Sequence, residues 1–298
     1  MDFAEWLKRF TFVKTTLSEP MKKHTGYGVG GAADYFVECF SVRDLRETIY
    51  AAKAFGLPVK LLGNGTNVLF SDEGFRGCVI SLKSLNTLKI ENGAVFAACG
   101  VSLSALSDFC VKYGFTGAEA ISGIPATIGG ALKMNASAYG QSVSDYLTCA
   151  NVLEGDKFKT LSKEECGFRY RESDVTKGDR AVLSASFVFP KKDVLSVKSL
   201  TEEYRNRRKA GQPCGCKSCG SVFKNPDGDF AGRIIDEAGL KGLTCGGAKV
   251  SVKHGNFIVT EKGATAHDVY TLVNEIKRVI KKEKNVILTE EIEFIGEF

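Results

Sequence analysis

Leu62-Gly-Asn-Gly-Thr-Asn67 and Ser122-Gly-Ile-Pro-Ala-Thr-Ile-Gly-Gly130 are the stretches on which the reading of this chain turns. Each follows a strand or a turn and offers a run of backbone N–H groups that no large side chain covers. Successive N–H groups in such turns form a concave nest for phosphate oxygens. Two nests in one domain point to a ligand with a pyrophosphate and a long body, such as a dinucleotide. Neither stretch ends in the lysine and Ser/Thr of a Walker loop, which argues against a triphosphate.

Residues 35–62 read as strand, helix, strand. Tyr35-Phe-Val-Glu-Cys-Phe40 is β-prone. Ser41, three residues before Asp44, is a capping signal, and Leu45, Ile49 and Ala52 repeat at helical spacing. Gly56 can end that helix and Pro58 prevents its continuation. Val59-Lys-Leu-Leu62 then delivers the chain into the first glycine turn. Strands near 79–82 and 94–99 precede a helix over 102–113 with Leu103, Leu106, Cys110 and Tyr113 on one face. A short helix from Ile128 to Met134 should aim its N-terminus at the second turn and add dipole attraction for an anion. Further strands are expected at 147–154 and 182–189.

Pro190-Lys-Lys-Asp193 marks a boundary. Beyond it come a helix over 194–209, a Cys/Gly loop, and a helix from Thr265 to about Lys282 with Val269, Leu272, Val273 and Ile276 inward. The tail from Asn285 to Gly296 is a strand pair at most. No repeat or low-complexity segment is present.

With 298 residues, 44% hydrophobic and 25% charged, the chain can bury a substantial core and form two domains. The formal charge of +5 suits an anionic small molecule. No basic run interleaved with aromatics argues for nucleic acid. The densest basic stretch, Arg205-Asn-Arg-Arg-Lys209, ends a helix, where cations complement the dipole and a solvated helix end is expected. The N-terminal stretch lacks signal-peptide character, and no apolar run approaches the ~20 residues a bilayer requires, so no membrane role is expected. A cytoplasmic location follows, and with it ten cysteines as thiols rather than a disulfide framework. Cys214-Gly-Cys-Lys-Ser-Cys219 with distant Cys245 has some metal-ligand spacing but lacks paired CxxC motifs, so no metal is expected. The other six cysteines read as small core residues.

Gly26-Tyr-Gly-Val-Gly-Gly31 formally matches the dinucleotide fingerprint GxGxxG, but it precedes a strand instead of following one and opening a helix. It reads as flexible glycines entering the first strand. The order of motifs matches something else. His24-Thr-Gly-Tyr-Gly-Val-Gly-Gly-Ala-Ala-Asp34, the two glycine stretches, Met134-Asn-Ala-Ser-Ala-Tyr-Gly140, Phe168-Arg-Tyr-Arg-Glu-Ser173, Gly220-Ser-Val-Phe-Lys-Asn-Pro226 and Glu291-Ile-Glu-Phe-Ile-Gly296 together resemble the UDP-N-acetylmuramate dehydrogenase family. These are the UDP-N-acetylenolpyruvoylglucosamine reductases of peptidoglycan synthesis, and the resemblance runs through nearly the whole chain. The short stretch between Ser173 and the strand at 182 is similar to the family's compact second type. Asn64 stands where a third glycine is usual, Ala32 where Gly-Pro is expected, and Cys219 where a small residue often precedes Gly-Ser.

The resemblance implies an α+β protein: a two-subdomain FAD-binding fold of the vanillyl-alcohol-oxidase type plus a C-terminal α+β substrate domain. The FAD domain would span 1–192, with subdomains of about 1–75 and 76–192. The substrate domain would span 193–298, its tail from about 285 a candidate to pack back on the FAD domain. The implied reaction uses FAD and NADPH to reduce the enolpyruvyl ether of a UDP-sugar to UDP-N-acetylmuramate, with NADPH and substrate using one site in turn. Hydride reaches the terminal carbon, charge develops toward the carboxylate, and a proton must follow. By the same resemblance Ser221 is the proton donor. Arg171 holds the carboxylate with a planar, permanently charged fork. Glu291 completes the site, where facing a carboxylate implies a raised pKa; Glu290 and Glu293 read as exposed strand acids. Tyr170, Asn225, Lys249 and His254 are the expected substrate contacts. Gly63, Asn64, Gly65, Thr66 and Asn67 would cradle the FAD pyrophosphate. Ser122, Gly123, Ile124, Pro125, Thr127, Gly129 and Gly130 would form the other wall.

Two alternatives remain at this level. One is another flavin oxidoreductase of the same fold acting on a sugar or alcohol; the other is a non-catalytic flavin-binding module. The C-terminal motifs argue against the first, and the presence of Arg171, Ser221 and Glu291 against the second. Nothing in the sequence sets the oligomeric state, and a monomer is favoured.

Overall fold

The computed structural model describes residues 2–298. The chain opens with helix α1 (Phe3–Phe10) and strands β1 (Lys14–Pro20) and β2 (Ala32–Glu38). Helix α2 (Val42–Ala54) leads to β3 (Val59–Leu62), β4 (Val68–Phe70), β5 (Phe75–Ser81), β6 (Leu88–Glu91) and β7 (Ala94–Ala98). Helices α3 (Leu103–Tyr113) and α4 (Ile128–Lys133) precede β8 (Ser137–Ala138), β9 (Gln141–Ser142), β10 (Leu147–Glu154), β11 (Lys157–Ser162) and β12 (Ala181–Phe187). The remainder comprises α5 (Val194–Gly211), α6 (Ala231–Glu237), β13 (Thr244–Cys245), β14 (Ala248–Val250), β15 (Ile258–Thr260), α7 (Ala266–Lys284) and β16 (Glu293–Ile295).

These elements form two compact units interleaved along the chain. The first takes the residues through Thr16, Tyr35–Asn64 and Gly77–Arg208; the second takes Leu17–Asp34, Gly65–Arg76 and Lys209–Phe298. The first contains a five-stranded antiparallel sheet in the order β11-β10-β12-β7-β6 and the parallel β3–β5 pair, with Val59 opposite Cys78. The second contains the antiparallel sheet β13-β14-β15 and the parallel pair β16–β4, with Glu293 opposite Val68. Each unit has its own apolar core.

Local chemistry accounts for the elements that the periodicity predicts. Ser41 accepts from the Asp44 N–H and caps α2, which buries Leu45, Ile49 and Ala52. Burying such an aliphatic side chain contributes about 1.5–3 kcal/mol. In α3, Ser102 caps the start, Leu103, Leu106 and Cys110 are buried, and Gly114 ends the helix at φ 65°. Tyr113 departs from its expected inward position. As the last helical residue it lies partly exposed, with its ring 4.6 Å from that of Phe109. In α7, Val269, Leu272, Val273 and Ile276 are inward as expected.

Other elements differ from the sequence reading. Residues 3–10 form a helix because Asp2 and Glu5 make a reciprocal capping box. The tail supplies one strand, β16, within the limit of a strand pair at most. Residues 26–31 are not flexible. A Cβ at Gly26 would lie 2.4 Å from Ser218 O, and one at Gly31 would lie 2.0 Å from Asp72 O, so these glycines permit backbone to meet backbone. The basic end of α5 is also better held than a solvated terminus. Arg205 pairs with Asp108 at 2.7 Å, and the Arg207 guanidinium lies 4.8 Å from the Tyr139 ring centre.

Candidate active site

In the first unit the two glycine-rich stretches come together. Asn64 Nδ2 donates to Pro125 O at 3.0 Å, and a Cβ at Gly63 would lie 2.3 Å from Thr127 Oγ1. Thr127 is fixed because its side chain caps α4, accepting from the Gly130 N–H. Ser122 is buried, and its hydroxyl has no hydrogen-bond partner among the described residues. A buried hydroxyl in that state loses about 1–3 kcal/mol unless something supplies a partner. Gly123 lies under the stem of Arg208, with a Cβ there only 2.6 Å from its Cδ. The start of α4 differs from the dipole expectation. The N–H groups of Ile128 and Gly129 donate to Val101 O and Cys99 O, so they are already satisfied.

Gly65, Thr66 and Asn67 lie in the second unit and are held there from three directions. Gly65 has φ 66°, and a Cβ on it would lie 2.0 Å from His24 O. Its carbonyl accepts from the Gly26 N–H at 2.8 Å. The buried Cys219 thiol donates toward Gly65 O at 3.5 Å and Val68 O at 3.4 Å. Asn67 Nδ2 donates to Glu291 O at 3.0 Å, and Asn67 O accepts from the Glu293 N–H at 3.0 Å.

Tyr170 and Arg171 sit on a tight turn of the first unit, not on a strand. Arg169 N–H donates to Glu172 O at 2.9 Å across that turn, and Arg171 has φ 55°. A non-glycine residue held there stores about 1–3 kcal/mol of strain, so its surroundings must fix it. They do. Arg169 pairs with Glu172 and Asp174, and Ser173 Oγ donates to Leu132 O at the end of α4. Arg171 Nη1 donates to Ser137 Oγ at 2.7 Å, and the guanidinium lies 5.2 Å from the Tyr170 ring centre. Ser137 opens the β8–β9 hairpin, whose two-residue loop Tyr139-Gly140 has positive φ at both positions.

The second unit has a cavity of about 410 Å³ onto which Ser221, Asn225 and His254 open. Lys249 lies on β14 and Glu291 follows the Phe223–Glu290 bridge; neither lines this cavity. Arg233, Lys241 and Lys253 do line it, against the single acid Asp236. The sequence reading missed these three cations, because an isolated basic residue on a short helix or in a loop carries no spacing signal. Arg233 is tied to Asp229 and Glu237, and Lys241 to Asp236. Lys253 donates to Lys209 O at 2.6 Å. The Asn256 N–H donates to His254 Nδ1 at 3.2 Å.

Ser221 is held by its neighbours. Asn256, buried, accepts from Phe223 N–H at 2.9 Å and donates to Phe223 O at 2.8 Å through its side chain. Asn225 Oδ1 accepts from the Ala231 N–H at 3.1 Å. The Glu291 N–H donates to Val222 O at 2.8 Å, next to Ser221. Glu290 is not an exposed acid, since it is half-buried and paired with Lys277 at 2.5 Å. Glu293 is likewise half-buried, within β16.

Five of the six cysteines read as core residues, Cys39, Cys78, Cys99, Cys110 and Cys166, are buried, and Cys149 is intermediate. Cys214 and Cys216 are exposed, while Cys219 faces the interior. Among the described residues no group of three or more His, Cys, Asp or Glu could hold a metal ion, and no helix is long and apolar enough to cross a membrane.

Comparison with known proteins gives a consistent result. A family described as UDP-N-acetylenolpyruvoylglucosamine reductase, C-terminal domain, matches residues 212–295, and one described as FAD binding domain matches residues 33–156. The chain is 40% identical over 285 residues to a UDP-N-acetylenolpyruvoylglucosamine reductase of Caldanaerobacter subterraneus subsp. tengcongensis, covering 95% of this chain and 94% of that protein. The corresponding protein of Listeria monocytogenes serovar 1/2a is 37% identical over 290 residues, 97% of either chain. Among solved structures, a UDP-N-acetylenolpyruvylglucosamine reductase from Thermus caldophilus superimposes with a TM-score of 0.82 at 34% identity, covering 95% of this chain and 99% of that one. Phl p 4.0202, a glucose dehydrogenase, matches 65% of this chain and 45% of its own with a TM-score of 0.50 at 10% identity, a likeness of fold alone.

Proposed function

The chain belongs to the UDP-N-acetylenolpyruvoylglucosamine reductase family, and from that premise we propose that it reduces the enolpyruvyl group of UDP-N-acetylenolpyruvoylglucosamine to UDP-N-acetylmuramate with FAD and NADPH. The observation that carries this reading furthest is the cavity onto which Ser221 opens. Its cations Arg233, Lys241 and Lys253 suit a nucleoside diphosphate, and its hydroxyl is of the kind the reaction requires.

The residues of the first unit fit FAD. The buried Ser122 hydroxyl has no partner among the described residues, and Gly63 lets the backbone come close to Thr127 where any side chain would intrude. Gly63 and Asn64 would hold one side of the cofactor, with Gly65 and Thr66 next along the chain, and Ser122, Gly123, Ile124, Pro125 and Thr127 the other; Gly129 and Gly130 contribute through the tight start of α4. Bound FAD supplies the hydride, replenished from NADPH.

The chain's own residues supply the rest. Arg171 binds the carboxylate of the enolpyruvyl group and offsets the charge that spreads into it. Ser221 transfers its hydroxyl proton to the carbon beside that carboxylate and recovers one from solvent. Glu291 completes the site by hydrogen-bonding the same fragment. Tyr170, Asn225 and His254 orient the sugar nucleotide, and Lys249 adds positive charge from β14. By role the FAD domain is taken as 1–192 and the substrate domain as 193–298, a division that differs from the packing units, since Leu17–Asp34 and Gly65–Arg76 pack with the C-terminal unit and the first unit runs on to Arg208. One chain carries every residue this scheme uses, so a monomer suffices. The NADPH requirement and the thiol state of the cysteines favour a cytoplasmic location.

Stopped-flow absorbance tests the scheme. NADPH should bleach the flavin of wild-type protein, and the enolpyruvyl sugar nucleotide should restore its colour. Ser221→Ala should keep the first step and slow the second by about 10²–10⁴-fold, the usual contribution of a positioned acid. A colourless protein that cannot be reconstituted with FAD, or an unchanged second step in the variant, would refute the scheme.

A further inference from the structure

The side chain of Asn67 faces the acid segment of its unit. Its amide donates to the Glu291 carbonyl at 3.0 Å, and the main-chain carbonyl of Asn67 accepts from Glu293 N–H at 3.0 Å. Glu291 is thereby held on both flanks, since its own N–H donates to Val222 O at 2.8 Å, beside Ser221. The same turn is fastened on its other side by the Cys219 thiol, two residues before Ser221, through Gly65 O and Val68 O. Cys219 and Glu291 are thus both fastened to residues 65–68. A hydrogen bond from a side-chain amide to one main-chain carbonyl fixes a backbone direction, and with it the origin of the side chain that follows.

We propose that Asn67 is a positioning residue for Glu291, setting the backbone from which that carboxyl reaches substrate, and that its side-chain amide is not a cofactor ligand. The inference rests on the role given above to Glu291. It also explains why this turn tolerates Asn64 in place of a glycine yet places an amide at 67: position 64 uses its side chain on Pro125, whereas position 67 uses its side chain on the strand-like segment before β16. Aspartate at 67 would keep the shape but set a charged acceptor against the Glu291 carbonyl. Alanine would remove the bond.

The test uses full-length, flavin-loaded protein carrying Asn67→Asp or Asn67→Ala. The expected result is a kcat for the enolpyruvyl sugar nucleotide 10- to 100-fold lower, with KM and the FAD dissociation constant, read by flavin fluorescence, each within threefold of wild type. The pH profile of the flavin reoxidation step should also change shape, because the Glu291 carboxyl is no longer held in one place. FAD affinity lowered more than tenfold with a normal kcat at saturating FAD would return Asn67 to the cofactor cradle and overturn the proposal. Unchanged kcat in both variants would overturn it equally. Should neither variant fold, hydrogen exchange of the Asn67 side-chain amide in wild-type protein decides. Protection supports the bond to Glu291, and exchange at the rate of a solvated amide refutes it. That last measurement involves no turnover, so it separates failure of this proposal from failure of the reductase reading, in which wild-type protein would not pass electrons to the sugar nucleotide.

Discussion

Arg171 shows how much can rest on one guanidinium. Its backbone has φ 55°, and it is kept there by the Arg169 ion pairs and the Ser173 bond to α4, while its side chain is aligned by Ser137. Lysine at this position would retain the charge but not the planar fork. Arg171→Lys should therefore lower kcat/KM by about 10- to 100-fold, the loss of one charge-assisted bond worth about 1.5–3 kcal/mol, while the flavin spectrum stays intact. An equal rate would remove Arg171 from carboxylate binding. The sequence identified this arginine only through its motif, because a lone Arg in a Tyr-Arg-Glu run looks like any surface arginine. Lys241 and Lys253 had no motif to mark them, and only the folded cavity brings them beside Ser221. The target of the Asn67 amide lies 224 positions away, and no local pattern encodes such a partner.

At the scale of elements, what was legible follows from periodicity and punctuation. α2, α3 and α7 carry apolar residues at helical spacing and capping signals at their starts, so their existence and inward faces could be read. The β6–β7 hairpin was missed although Asn92-Gly93 marks it, with φ of 50° and 80° in a two-residue loop. Short pieces such as α6 and β13–β15 carry too few residues for a period to show. Two predictions belong here. Gly63→Ala would push a methyl group onto the Thr127 hydroxyl that caps α4, so FAD affinity should fall by at least about tenfold, consistent with losing about 1.4 kcal/mol or more. Flavin fluorescence titration reads this directly.

The second prediction concerns the α7 cap. Burial pushes the Asp268 carboxyl up, but N–H groups of Gly247 and Thr265 and the Thr265 hydroxyl together hold it below the usual aspartate value. Such a lowered group stabilises the fold fully above its unfolded pKa of about 3.9 and loses that contribution as pH falls through the folded value. Asp268→Ala should cost about 0.3–1 kcal/mol at neutral pH. Urea unfolding should show the gap between wild type and variant narrowing toward pH 2. A gap independent of pH would mean the carboxylate charge plays no part.

For the whole molecule, the cysteines give a sharp readout of packing. Burial raises the thiols of Cys39, Cys78, Cys99, Cys110 and Cys219 to about 12, and that of Cys166 to about 11. The exposed Cys214 and Cys216 should react first with a disulfide reagent, and the buried six only after unfolding. Rapid reaction of all ten in native protein would contradict the packing described. The raised values also set a sign. Unfolded thiols ionise near about 8.5, so the stability these groups contribute is complete below that pH and declines as pH rises toward 12. Chemical denaturation midpoints should therefore fall steadily above pH 9.

The chain passes between its two compact units at five points, after Thr16, Asp34, Asn64, Arg76 and Arg208. For a protein made from its N-terminus, this imposes a delay. β4 emerges early, but its parallel partner β16 follows only after all the other elements of both units, and the second core also needs α7. Contacts so distant in sequence slow folding, because a long loop must close before any pairing compensates. Nascent chains stalled before β16 should therefore hold the second unit open to proteases, and synthesis through β16 should close it.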